Sequence, residues 1–350
     1  MPNGGLGQVT RTARPRGALA AALLLAACSS GTQSKSTAQT AKPIRIGISL
    51  SRSGDFSDPA TQVERGYQLW ADHVNAKGGL LGRKVQLIVV DDASSPTQVV
   101  TNYQNLITRD KVDLVFGPFS SLLTIPSAQV AARYGYAFLE PEGGGPKVFA
   151  AKLGNLFFVQ PAPAVSNGEV FAKWVLSLPA AERPKTAAYP SLDDPFASPV
   201  ADKVRQEFEA AGIRTVYKTI YPAETTDLTP IVQKVAAAHP DVVVAGTQSE
   251  DAYAQVKAMI QLGFSPKMLF LSNGANAPTE FPDKVGKANT EGILSSGTWP
   301  TIQGVLQWDA YGASQGEDVL LQWIGGALDP VYPPSVASRQ PVVTKAPWSR

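Results

Sequence analysis

Few residues of this chain combine the types and spacing that chemistry demands. Gly143-Gly144-Gly145-Pro146-Lys147 is glycine-rich and ends in a lysine, as a phosphate cradle would. It lacks the GxxxxGK[ST] spacing, however, and Pro146 removes an N–H that such a cradle needs. No GxSxG elbow raises a serine nucleophile, and the single cysteine, Cys28, lies near the N-terminus. Asp91-Asp92 and Asp193-Asp194 are adjacent carboxylates of the kind that share a proton or bind a metal. At the ends of strands, such pairs more often serve as caps and solvated turns. His73 and His239 stand far apart in sequence, each without a cysteine or second histidine nearby, so no zinc site is expected. No complete catalytic constellation assembles, and the chain reads as a non-enzyme that takes no cofactor and no metal.

The chemistry that is legible belongs to export. Arg11, Arg14 and Arg16 form a basic cluster, and no acidic residue precedes Asp55. Residues 18–27 are only Ala and Leu, a run too short for the roughly 20 residues of a bilayer span but suited to a signal-peptide core. Leu25-Ala26-Ala27-Cys28 then resembles a bacterial lipobox, in which Cys28 is acylated and becomes the first mature residue. Residues 1–27 are therefore expected to be a signal peptide and 28–42 a flexible, polar tether. The expected location is extracytoplasmic, in the cell envelope or periplasm, with a lipid anchor in the membrane. With that thiol used, stability must come from a packed core rather than disulfides. The net charge of +2, from 31 basic and 29 acidic residues, is interspersed and gives no basic stripe for nucleic acid.

From Ile44 the pattern alternates short β-branched runs with longer helical stretches. Ile44–Ile48, Val85–Val90, Val112–Phe116 and Tyr136–Leu139 read as strands separated by helices. The same grammar then repeats. Lys185–Tyr189, Ile213–Ile220, Val242–Ala245 and Met268–Leu271 are strands, and Asp241 precedes its strand as Asp113 precedes Leu114. Strands alternating with helices indicate βαβ units and parallel sheets covered on both faces, so the fold class is α/β in two lobes. The expected division is lobe one at 43–162, lobe two at 163–291, and 292–350 returning to lobe one before ending on lobe two. The joint falls near Val159 to Ala164.

In open parallel sheets, ligands bind beyond the carboxyl ends of the strands. Two such edges facing each other form a cleft that closes about a hinge. Lobe one offers Gly117, Pro118, Phe119, Ser120, Ser121 and then Glu140 to Gly145. Lobe two offers Asp193, Asp194, Phe196, Thr247 to Glu250, Ser272 and Asn273. Hydroxyls, a few carboxylates and aromatic rings suit a small polar ligand.

Several segments in order then carry a family resemblance. They are Ile46-Gly47-Ile48-Ser49-Leu50-Ser51, Gly66-Tyr67, Asn75-Ala76-Lys77-Gly78-Gly79-Leu80-Leu81-Gly82-Arg83, Asp91-Asp92, Gly117-Pro118-Phe119-Ser120-Ser121 and Asp193-Asp194-Pro195-Phe196. Together the chain resembles the periplasmic (solute-binding) proteins of branched-chain amino acid ABC transporters, in lipoprotein form. The resemblance implies a type I two-lobed periplasmic-binding-protein fold with the ligand cleft between the lobes. It implies a monomeric receptor that closes on a small polar ligand, an amino acid, amide or related metabolite, and delivers it to an ABC permease and its ATPase. The implied ligand-binding residues are Phe119, Ser120, Ser121, Glu142, Gly143, Gly144, Phe196, Thr247, Gln248, Glu250 and Asn273. Glu142 departs from the small residues and threonine of the amino-acid type, and it places negative charge where a ligand carboxylate would sit. Glu250 is the implied partner of a ligand ammonium, and Phe196 an aromatic cover. A sensor lipoprotein uncoupled from transport would use the same cleft.

The resemblance falters after Ser296. Thr301-Ile302-Gln303-Gly304, Trp308-Asp309 and the tail from Leu321 to Trp348 resemble the family's last segments, but Ser295 to Trp299 joins them almost directly. About 50–80 residues, roughly two helices with their loops, are expected to be missing. Their loss would bare apolar surface on one face of the first sheet. A truncated, non-functional copy is the corresponding alternative.

Overall fold

The computed structural model describes residues 42–297, 307–316 and 318–349. The signal peptide, Cys28, nearly all of the tether and Thr301–Gly304 lie outside these described residues.

The first apolar runs become a five-stranded parallel sheet. In chain order its elements are β1 (Ile44–Leu50), α1 (Ser57–Ala76), β2 (Val85–Asp91), α2 (Pro96–Thr108), β3 (Leu114–Phe116), α3 (Ser121–Arg133), β4 (Phe138–Glu140), α4 (Pro146–Ala150) and β5 (Leu156–Phe158). The spatial order is β2-β1-β3-β4-β5. Helix α2 starts where the sequence dictates: the Ser95 side chain accepts from the Gln98 N–H, and Pro96 occupies the first turn, where its missing N–H costs nothing.

The loop 159–164 leads into the second set. It comprises α5 (Val165–Ser177), β6 (Thr186–Leu192), α6 (Ala197–Ala210), β7 (Arg214–Tyr221), α7 (Thr229–Ala237), β8 (Val242–Ala245), α8 (Ser249–Gln261), β9 (Met268–Leu271), α9 (Glu280–Val285), β10 (Leu294–Gly297), β11 (Val319–Ile324) and β12 (Ala327–Tyr332). Seven strands line up as β12-β11-β10-β9-β8-β6-β7. Those from β6 to β10 are parallel, while β11 and β12 form an antiparallel hairpin on the β10 edge. Its two-residue turn is Gly325-Gly326 with φ of +63° and +77°, the left-handed pair that glycine adopts without a Cβ penalty.

The duplication extends to polar detail. Asp113, ahead of β3, accepts the Arg45 N–H at the start of β1 at 2.8 Å. Asp241, ahead of β8, accepts the Lys185 and Thr186 N–H groups at the start of β6, together with the Thr186 hydroxyl. Each aspartate ties a central strand to its neighbour.

The two faces of the first sheet are covered unequally. On one, Tyr103 of α2 meets Phe138 and Phe149 of α4 meets Phe158. On the other, Tyr67 and Trp70 of α1 pack on Phe116. Farther along that second face, Leu114, Leu139 and Phe157 remain 39%, 37% and 37% exposed. Register places Phe116, Leu139 and Phe157 side by side across three strands. Residues 307–316 close the β5 edge: the Phe158 N–H donates to the Gly312 carbonyl at 3.0 Å, and the Trp308 indole donates to the Phe158 carbonyl at 2.6 Å. Among the described residues no helix is long and apolar enough to cross a membrane.

Candidate functional site

A cavity of about 130 Å³ lies where the strand ends of the two sheets meet. It is close in size to the roughly 150 Å³ engineered cavity that accepts benzene, so it suits a ligand of few heavy atoms. Phe119, Ser120, Ser121, Glu142 and Gly144 line it from the loops after β3 and β4. Phe196, Gln248, Ser272, Asn273 and Asn276 line it from the second set of elements, joined by Asn167 on the first turn of α5. Phe158, Gln160, Ala162 and Ala164 come from β5 and the loop after it, and Ser296, Gly297 and Asp318 from the end of β10 and the start of β11.

Local rules explain these placements. Ser120, with φ of +76°, turns the chain into α3 and presents its hydroxyl without a protein partner. Ser121 accepts the Gly145 N–H at 2.8 Å. Asp194 caps the entry to α6, accepting the Phe196 and Ala197 N–H groups, and it also receives the Gln248 side-chain amide at 3.2 Å. Gln248 in turn accepts from the Asn273 side chain at 2.8 Å, so Asp194, Gln248 and Asn273 form one fixed chain of groups. Gln248 also forms a capping box with Asp251 on α8.

The glycine run is packing, not a phosphate cradle. A Cβ on Gly143 would lie 2.0 Å from Thr124 Oγ1, one on Gly144 2.5 Å from the Phe158 ring, and one on Gly145 2.4 Å from the Pro195 carbonyl. The last contact brings the two sets of elements together. Beneath the run, the buried Glu140 carboxylate accepts the Glu142 and Gly143 N–H groups, and burial pushes its pKa up to about 8.

The structure therefore gathers Phe119, Ser120, Ser121, Glu142, Gly144, Phe196, Gln248 and Asn273 around one cavity. Gly143, Thr247 and Glu250 do not line it. Gly143 is packed on Thr124, and the Thr247 hydroxyl turns to the Asn273 carbonyl. Glu250 sits half-exposed on α8, 3.8 Å from Lys284. Asp92 holds the Ser49 and Ser51 hydroxyls, which makes the first aspartate pair a structural clamp. Among the described residues no cluster of three His, Cys, Asp or Glu side chains is placed to hold a metal ion.

Sequence reasoning missed Gln160, Asn167, Asn276, Ser296 and Asp318. Asp318 is buried, its Oδ2 has no protein partner, and burial pushes its pKa up to about 8. Glu142 receives the Gln160 side-chain amide at 2.7 Å and is raised to about 7, again by loss of water.

Outside the cavity a wider vestibule of about 860 Å³ runs between α1 and the helices α8 and α9. Gln62 of α1 donates to Glu280 of α9 at 2.9 Å across its mouth, and Lys284 lies 4.0 Å from Asp58.

Two parallel-sheet α/β halves with a polar cavity at their facing strand ends define a solute-binding protein. The family description "Periplasmic binding protein" matches residues 43–305, and the chain belongs to this family. A Pseudomonas aeruginosa protein described as an amino acid binding protein is 26% identical over 224 residues, covering 64% of this chain and 59% of that relative. Leu/Ile/Val-binding protein homolog 8 of Brucella suis biovar 1 is 26% identical over 280 residues, covering 78% of this chain and 69% of that relative. The chain thus spans less than two thirds of the first of these relatives. The leucine-binding protein LivK of Thermotoga maritima superposes with a TM-score of 0.73 over 82% of this chain and 97% of that one, at 15% identity. LivJ of Streptococcus pneumoniae, solved with isoleucine, gives 0.65 at 21% identity over 75% of this chain and 73% of that one. These two likenesses establish the type I periplasmic-binding-protein fold.

Proposed function

We propose that this chain is the extracytoplasmic receptor of an ABC importer. It is anchored through a lipid on Cys28, and it captures a small polar ligand, an amino acid, amide or related metabolite, by hinge closure. The observation that carries this reading is the cavity itself. Its walls come from both sheets and from the segments that join them, so a ligand seated there touches every part that must move on closing. Phe119, Ser120, Ser121, Glu142, Gly144, Phe196, Gln248 and Asn273 would make first contact. The cross-cleft contacts of Gln62 with Glu280 and of Lys284 with Asp58 would favour the closed form. The permease and its ATPase are the partners, and the receptor works as a monomer.

The bare row of Leu114, Leu139 and Phe157 supports the further reading that covering helices present in longer relatives are missing after Ser296. The test is titration calorimetry of the chain against a panel of amino acids, amides, carboxylates, sugars and metal ions. Heat from a small amine, amide or amino acid is expected. Binding only to sugars or metal ions would overturn the reading.

A further inference from the structure

The cavity walls hold acids without a base. Glu142 and Asp318 both line it, while the described walls include no lysine, arginine or histidine. Three aromatic rings, of Phe119, Phe158 and Phe196, also line it. Three buried oxygens among the lining residues lack any protein donor: Ser120 Oγ, Ser296 Oγ and Asp318 Oδ2. The two hydroxyls can donate or accept, but an ionised carboxylate only accepts, so Asp318 is completed by a ligand that brings hydrogen-bond donors. A ligand carboxylate would add a third acid to about 130 Å³ and meet no cation there.

Building on the receptor reading above, we propose that this cavity selects a small organic cation, a primary ammonium or guanidinium on a short apolar body without a free carboxylate. Glu142 and Asp318 receive the cationic end, and the aromatic rings receive the body. Gln160 fixes Glu142 by donating to one of its oxygens at 2.7 Å, which leaves the other for the ligand. Phenyl faces add attraction for a cation that has lost its water. A cation seated between the two acids also lowers both carboxyl pKa values again, restoring their charge on binding. The rival is a zwitterion whose carboxylate lies against Ser120 and Ser121 at the start of α3. There, the two hydroxyls can donate, but Glu142 faces the same space and no cation among the described walls balances it.

The test is calorimetry on the full-length chain in detergent at pH 8.5. Four probes of matched shape are used: 3-methylbutylammonium, 3-methylbutanamide, 3-methylbutanoate and leucine. The ammonium is expected to bind at least about tenfold more tightly than the amide, with the butanoate and leucine weaker still, as hydrogen bonds to charged groups imply. E142Q and D318N should each shift the ammonium-to-amide ratio about tenfold or more toward the amide. The probe series on the unaltered chain stands even if a variant fails to fold. Preference for leucine or the butanoate would overturn the proposal while leaving the receptor reading intact. Silence from all four probes would also overturn it. Silence across the wider metabolite panel, or binding there only to sugars or metal ions, would remove the receptor reading too.

Discussion

In the second sheet every residue of β8 and β9 is at most 1% exposed, whereas in the first, Leu114, Leu139 and Phe157 stand more than a third open on neighbouring strands. Both sheets are parallel at their centres, and both are built from the same strand–helix alternation. The difference lies in what covers them. Phe270 of β9 stacks on Phe171 of α5 with ring centres 4.5 Å apart, inside a layer of helices. Among the described residues, the ring partner of Phe157 of β5 is Trp308, itself 40% exposed, in a T-shaped contact 5.8 Å between centres. A parallel strand is stable when both faces are dry, and by that measure the second half is a finished scaffold and the first a partly open one. The cavity draws residues from both, so part of its wall rests on the covered half and part on the open one.

The largest test of this contrast is a pair of truncations. F270A should cost about 3–5 kcal/mol in denaturant unfolding, because the ring is fully buried and the site cannot collapse. F157A should cost less, about 1–2 kcal/mol, because more than a third of the residue already faces water. Equal costs would mean that the open row is covered in solution. A smaller effect should separate the two strand clamps. D241A strands three donors at the start of β6 and should cost about 1–3 kcal/mol, while D113A releases one exposed N–H and a partly exposed ion pair with Arg83 and should cost below about 1 kcal/mol. Thermal melts of the two variants would sharpen or break that ordering.

The smallest effect concerns pH. Glu140 is fully buried in the first half, and its folded pKa of about 8 stands far above that of an unfolded glutamate. Between roughly pH 4 and pH 8 Glu140 therefore binds fewer protons in the unfolded chain than in the native one, and its contribution to stability falls as pH rises through that window. E140Q keeps an acceptor for the Glu142 and Gly143 N–H groups but cannot ionise. Its midpoint should gain on the parent by a few degrees at pH 8 and above, where about 1 kcal/mol is worth roughly 2–4 °C. The gain should vanish near pH 4.

Much of this architecture is readable from residues alone, for a physical reason. Central parallel strands are buried on both faces, so runs such as Val242-Val243-Val244-Ala245 are apolar throughout and hard to mistake. The three residues of β5 and the five of α4 carry too few positions for any period to register. The β11–β12 hairpin carried a usable signal in Gly325-Gly326, two left-handed residues between apolar runs. Site residues divide the same way. Those after β3, β4, β6, β8 and β9 follow from the strand-end rule. Gln160, Ser296 and Asp318 lie on the crossing segments, and only the folded path brings them to the cavity.

That path has an order in time. The outer edge of β5 receives its hydrogen bond from Gly312 and its indole cover from Trp308, a residue 150 positions later in the chain. A polypeptide emerging from its N-terminus must therefore carry an unsealed first sheet until almost the whole sequence has appeared. The half that is made first is therefore the half whose outer edge is completed last.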